Sequence, residues 1–64
     1  MKNLAMKMAE DFKKYAELET KSAKAGDTDA ATYWMNKKWK TSREAEQEGV
    51  NKDFSQALKD IGVY

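Results

Sequence analysis

Eleven carboxylates, twelve lysine and arginine cations and three tyrosines are the titratable side chains of this 64-residue chain, which has neither histidine nor cysteine. Without cysteine there is no disulfide framework, no thiolate zinc site and no thiol nucleophile. Without histidine the commonest general base near neutral pH and the commonest nitrogen ligand for metals are missing. Paired carboxylates do acid–base work only when a cleft perturbs them, and the acids here fall on expected solvent faces or at helix starts. Asp27 and Asp29 lie close in sequence but lack the spaced loop of a calcium hand. A chain this short also leaves little volume for a substrate pocket. The expectation is a protein that is not an enzyme, with no catalytic residues, no cofactor and no metal.

The second concentration of chemistry is "TYWMNKKWKT", residues 32–41, which holds both tryptophans, a tyrosine, a methionine and three lysines, with Arg43 just beyond. Trp, Tyr, Met and Arg are the residue types enriched at interface hot spots. Tyr33, Trp34, Met35, Lys37, Trp39, Lys40 and Arg43 are therefore the candidate protein-binding residues. The competing use is burial. Three leucines, two valines, one isoleucine and two phenylalanines are few for a domain, so core duty for at least one tryptophan is expected.

Those residues need elements to hold them, and helical periodicity dominates. Leu4, Ala5, Met8, Phe12, Tyr15, Ala16, Ser22 and Ala23 gather on one face of a helix over 4–25. Lys7, Glu10, Lys13, Lys14, Glu17, Lys21 and Lys24 lie opposite, with Glu10–Lys14 and Glu17–Lys21 spaced for i,i+4 pairing. Asn3 is placed to cap the start, and Gly26 to end the helix in a left-handed conformation. Asp27 or Thr28 caps a second helix over about 28–48, closed by Gly49 with Val50 as the apolar residue that follows. Asn51 is placed to cap a third helix over about 52–61, where Phe54, Ala57, Leu58 and Ile61 recur at i, i+3, i+4 and i+7. Short connections make neighbours antiparallel. The expected architecture is all-α: one domain spanning 1–64, a helical hairpin plus a short third helix, compact as a three-helix bundle.

Folding the hairpin about Asp27 brings Tyr15 toward Trp39, Phe12 toward Ser42 and Met8 toward Ala45. The third helix then covers the open end, with Phe54 and Leu58 beside Leu4 and Met8. On the second helix Met35 and Trp39 form one apolar flank, while Ala30, Trp34 and Ala45 form the other. Tyr33 points away with Asn36, Lys37, Lys40 and Glu44. Lys38 lies in the middle of the apolar arc and Glu19 in the middle of the facing one, so the two are expected to pair across the interface. The hairpin through "KAGDTDAATYW" is loosely similar to a single tetratricopeptide-type unit, a likeness of architecture alone.

"AEQEGVN", residues 45–51, resembles the turn of helix-turn-helix DNA-binding proteins: alanine, three residues, glycine, an apolar residue, then a small polar one. The resemblance covers residues 41–61. It implies that the helix after Asn51 enters the major groove, with Lys52, Asp53, Gln56 and Lys59 near bases or phosphates. Ser55 and Glu48 depart from the pattern at positions where apolar residues are expected. Lys37, Lys40 and Arg43, beside Tyr33 and Trp39, also have the composition of a single-strand binder. Net charge, however, is only +1, and Glu44, Glu46 and Glu48 follow at once. The favoured expectation is a protein-binding module of inhibitor, antagonist or adaptor type acting on a larger partner, a profile common among small phage and mobile-element proteins. The alternative is a small DNA-binding regulator that uses Lys37, Lys40, Arg43, Lys52, Gln56 and Lys59. A cytoplasmic location, no membrane span and possible homo-oligomerisation complete the reading.

Overall fold

A computed structural model describes residues 4–63 of the chain; the expected Asn3 cap lies outside them. Three helices follow one another: α1 Leu4–Lys24, α2 Thr28–Gln47 and α3 Asn51–Asp60. They form a three-helix bundle in which α1 packs against both α2 and α3. The chain alternates good helix formers with few β-branched residues and has no proline, so nothing interrupts the helices between their punctuating glycines.

Those glycines work in the same way each time. At the end of α2 the Gly49 N–H donates to the Glu46 carbonyl at 3.1 Å and the Val50 N–H to the Ala45 carbonyl at 2.9 Å. This paired arrangement satisfies the last free carbonyls of the helix. It requires the left-handed conformation that Gly49 adopts at φ 73°. A Cβ added there meets nothing within 4 Å, so only backbone strain opposes a side chain. Gly49→Ala is therefore expected to lower stability by about 1 kcal/mol, read as a lower urea midpoint with an unchanged slope.

The α1–α2 turn behaves as its residues suggest, because the Asp27 carboxylate accepts the Ala30 N–H at 3.0 Å and caps α2. The α2–α3 turn differs from expectation. Asn51 is the first residue of α3 and caps nothing. Val50 occupies the cap position with no side-chain hydrogen bond. Its N–H closes α2 while its carbonyl accepts the Phe54 N–H at 2.8 Å, so a single residue serves both helices and no polar cap fits between them.

Burial is concentrated where α3 closes the open end of the hairpin. The core consists of Ala5, Ala9, Phe12, Ala45, Phe54, Ala57 and Leu58, with Met6, Met8, Val50, Ile61 and Val63 packed around it. Phe12 and Phe54 meet edge to face, with centroids 5.6 Å apart at 80°, the geometry favoured by the ring quadrupoles. Ala9 and Ala45 have no exposed surface at all. Small side chains at those positions let the helix backbones approach closely. The one buried polar residue among the described residues is Thr41, whose hydroxyl donates to the Lys37 carbonyl at 3.0 Å.

Several expectations for α1 are corrected by this packing. Ala9, which the face assignment omitted, is core. Leu4, expected beside Phe54 and Leu58, is 46% exposed. Lys13, assigned to the solvent face, donates to the Ile61 carbonyl at 3.0 Å from a partly buried position. There it satisfies an end carbonyl of α3 and sets a cation at that helix's negative pole. Glu17 and Lys21, although correctly spaced, make no ion pair. Both are exposed, where water competes with such pairs.

Candidate protein-docking face on α2

Helix α2 turns Thr41 and Ala45 fully inward. Ala30, Ala31, Trp34, Met35, Lys38 and Ser42 are half-buried along the edges of that face. The opposite side presents Tyr33, Asn36, Trp39, Lys40, Arg43, Glu44 and Gln47, all exposed. Tyr33, Asn36, Lys40, Arg43 and Gln47 recur at alternating steps of three and four, the spacing of a single stripe on a helix.

The two tryptophans divide their roles, though not as expected. Neither is buried in the core. Trp34 is half-buried and stacks on Tyr15 of α1, with centroids 5.9 Å apart and planes at 19°. Tyr33 meets the Trp34 ring edge-on at 4.9 Å, and the Lys37 ammonium lies 5.4 Å from the Tyr33 centroid. Tyr15 thus pairs with Trp34 and not with Trp39. Trp39 stays 55% exposed and Tyr33 53%.

Lys38 and Glu19 do pair, with the ammonium 2.7 Å from a carboxylate oxygen. The Lys38 ammonium also lies 5.8 Å from the Phe12 ring centroid and 5.4 Å from that of Trp39. One cation therefore links the core aromatic, the α1 carboxylate and the exposed indole. Cation–ring contacts of this kind contribute about 0.5–1 kcal/mol at exposed sites. This arrangement holds the Lys38 side chain at the interface beneath Trp39.

Trp39, Lys40 and Arg43, with Asn36, Glu44 and Gln47, border a shallow cleft of about 470 Å³. Of the seven candidate residues, these three are grouped and accessible. Tyr33 and Lys37 lie to one side in the Trp34 cluster. Trp34 is half-buried against Tyr15, and Met35 is half-buried. The cleft also contains Asn36, Glu44 and Gln47, absent from the residues singled out on composition; the three–four stripe is the signal that would have found Asn36 and Gln47. The Lys40 and Arg43 side chains make no hydrogen bond or ion pair among the described residues.

The DNA-binding alternative distributes differently. Lys52, Gln56 and Lys59 are exposed on α3 with Ser55. Gln56, however, donates its amide to Asp60 at 3.0 Å, and Asp53 is exposed on the same short helix. Lys37, Lys40 and Arg43 spread over about 120° of the α2 circumference. No group of three or more potential metal ligands occurs among the described residues. None of the described helices is long and apolar enough to cross a membrane.

The tryptophan environments carry a direct optical prediction. Trp39→Phe should remove the red-shifted, iodide-accessible part of the emission and leave the bluer spectrum of Trp34 stacked on Tyr15. A Trp39→Phe spectrum as red and as quenchable as the wild type would contradict this assignment. No known protein family, no curated protein and no solved structure matches the chain.

Proposed function

We propose that this protein is a non-catalytic binding module that docks a larger protein through the outward side of α2, as an inhibitor, antagonist or adaptor. The observation carrying this reading is the exposure of Trp39. A domain with so few large apolar residues leaves an indole more than half in water, although burying it would contribute about 1.5–3 kcal/mol or more. Beside it stand Lys40 and Arg43 without internal partners, and Tyr33 is equally exposed one side further round. An aromatic anchor on a rigid helix with cations at its rim is the composition of an interface hot spot.

The alternative, DNA binding through α3, is supported by the left-handed glycine at the α2–α3 turn and by exposed Lys52, Gln56 and Lys59. It is weakened by the Gln56–Asp60 hydrogen bond, which ties one amide N–H to the helix's own acid and sets that negative charge beside the residue meant to read bases. Affinity capture from lysate with and without nuclease separates the two. The protein-docking reading expects one captured protein that survives nuclease and is lost with Trp39→Ala, while Lys52→Glu leaves it unchanged. Capture that disappears with nuclease and with Lys52→Glu would move the function to α3 and DNA.

A further inference from the structure

We infer that the α2 cleft receives an acidic segment of the protein partner, with a carboxylate held between Lys40 and Arg43 and an adjoining apolar or aromatic side chain lying on Trp39. This rests on the reading of α2 as the docking face and specifies the chemistry of what docks there.

Three lysines are engaged within the fold, Lys13 with the Ile61 carbonyl, Lys37 with the Tyr33 ring and Lys38 with Glu19. Lys40 and Arg43 have no such contact. Glu44 lies one turn after Lys40 and next to Arg43 in sequence, yet pairs with neither. Residues three apart on a helix are neighbours, so one carboxylate can accept from both cations. Arginine adds a planar fork that matches carboxylate geometry. The Asn36 and Gln47 side chains border the same cleft and supply amide donors and acceptors for a peptide backbone. Trp39 supplies the flat apolar surface that a neighbouring side chain covers.

A nucleic acid also carries anions and stackable rings, but the charge pattern along α2 disfavours it. The cations end at Arg43, and Glu44, Glu46 and Glu48 follow in the next turn and a half. A phosphate backbone is negative along its whole length and would run from the cations onto those acids. Glu44 borders the cleft as well, but a peptide confines its negative charge to one or two residues, which can face Lys40 and Arg43 without running on to Glu46 and Glu48.

Selection of short random peptides on the immobilised protein tests the inference. Wild type is expected to enrich sequences with Asp or Glu next to Leu, Phe, Tyr or Trp. A synthetic peptide of that consensus should lose about tenfold or more in affinity against the Lys40→Glu, Arg43→Glu double variant, whose helical circular dichroism should remain that of wild type. Enrichment of neutral or basic sequences, no enrichment, or displacement of the peptide by single-stranded oligonucleotide would each overturn it. Trp39→Ala separates the two levels. Binding abolished by Trp39→Ala but indifferent to charge reversal keeps α2 as the docking face and removes the acidic-segment assignment. Binding indifferent to both variants removes both.

Discussion

Phe54→Ala is expected to unfold most of the protein at room temperature. Phe54 is almost completely buried and meets Phe12 edge to face, so its ring is the main tie between α3 and the hairpin. Truncating a buried phenylalanine costs about 3–5 kcal/mol. A core in a domain of this size rarely supplies more than about 3–5 kcal/mol in total, so the loss is comparable with the whole stability. Away from α3 the hairpin keeps the Tyr15–Trp34 stack, but its large apolar side chains there are only half-buried and do not replace the lost burial. The variant should show reduced helical circular dichroism and no cooperative urea transition. Trp39→Ala is the internal comparison. Its indole is more than half in water and its ring contact is with the Lys38 ammonium, so its stability change should stay within about 1 kcal/mol.

Ala45→Leu is the second large effect, in the opposite steric sense. Ala45 has no exposed surface and belongs to the same core cluster as Ala9, Phe54 and Leu58. Its carbonyl also closes the turn to α3 through Val50. Additional methylenes there must separate α2 from its neighbours or force them off their rotamers. Overpacking of this kind costs about 1–3 kcal/mol. With roughly 4–8 °C of melting temperature per kcal/mol for a small domain, a cost near the middle of that range lowers the midpoint by about 8–16 °C. A melting temperature equal to or above wild type would show that the alanine contact has room to spare and that close helix approach does not depend on it.

The parts of this structure legible in the sequence are those fixed locally. Helix faces follow from residue spacing, helix ends from glycine and the Asp27 carboxylate, and antiparallel pairing from the brevity of the turns. Even the Glu19–Lys38 contact followed from hairpin geometry, because two charged residues centred on facing apolar arcs have few other partners within reach. What spacing leaves open is how closely and at what rotation the helices approach. Ala9 sits at a close approach, and an alanine is equally compatible with core and surface until that distance is known. Lys13 leaves the solvent face because α3 brings an unpaired helix-end carbonyl within reach of its long side chain. Trp39 stays exposed because α3, ten residues long, extends only about 15 Å against a hairpin whose helices are about twice that length. The candidate site was therefore partly legible: Tyr33, Trp39, Lys40 and Arg43 are on the surface, while Trp34 and Met35 are drawn into the bundle.

The contrast between α2 and α3 also bears on specificity. Both helices expose cations, but only on α2 do they adjoin a large exposed aromatic residue. On α3, Asp53 and Asp60 accompany Lys52 and Lys59, and exposed pairs of mixed sign are the usual composition of a solvated face. A rim charge mainly changes association rate and salt dependence, whereas a buried aromatic anchor governs how long the complex lasts. Charge reversal at Arg43 should therefore slow association, and loss of the Trp39 ring should speed dissociation.

Site-specific photo-crosslinking in cells tests the docking claim most directly. A photoreactive amino acid placed at Asn36, beside the Trp39 cleft, should yield one discrete protein adduct, while the same group at Gln56 on α3 should yield none. An adduct confined to Gln56, or crosslinks to nucleic acid from either position, would contradict the assignment of α2 as the face that binds a protein.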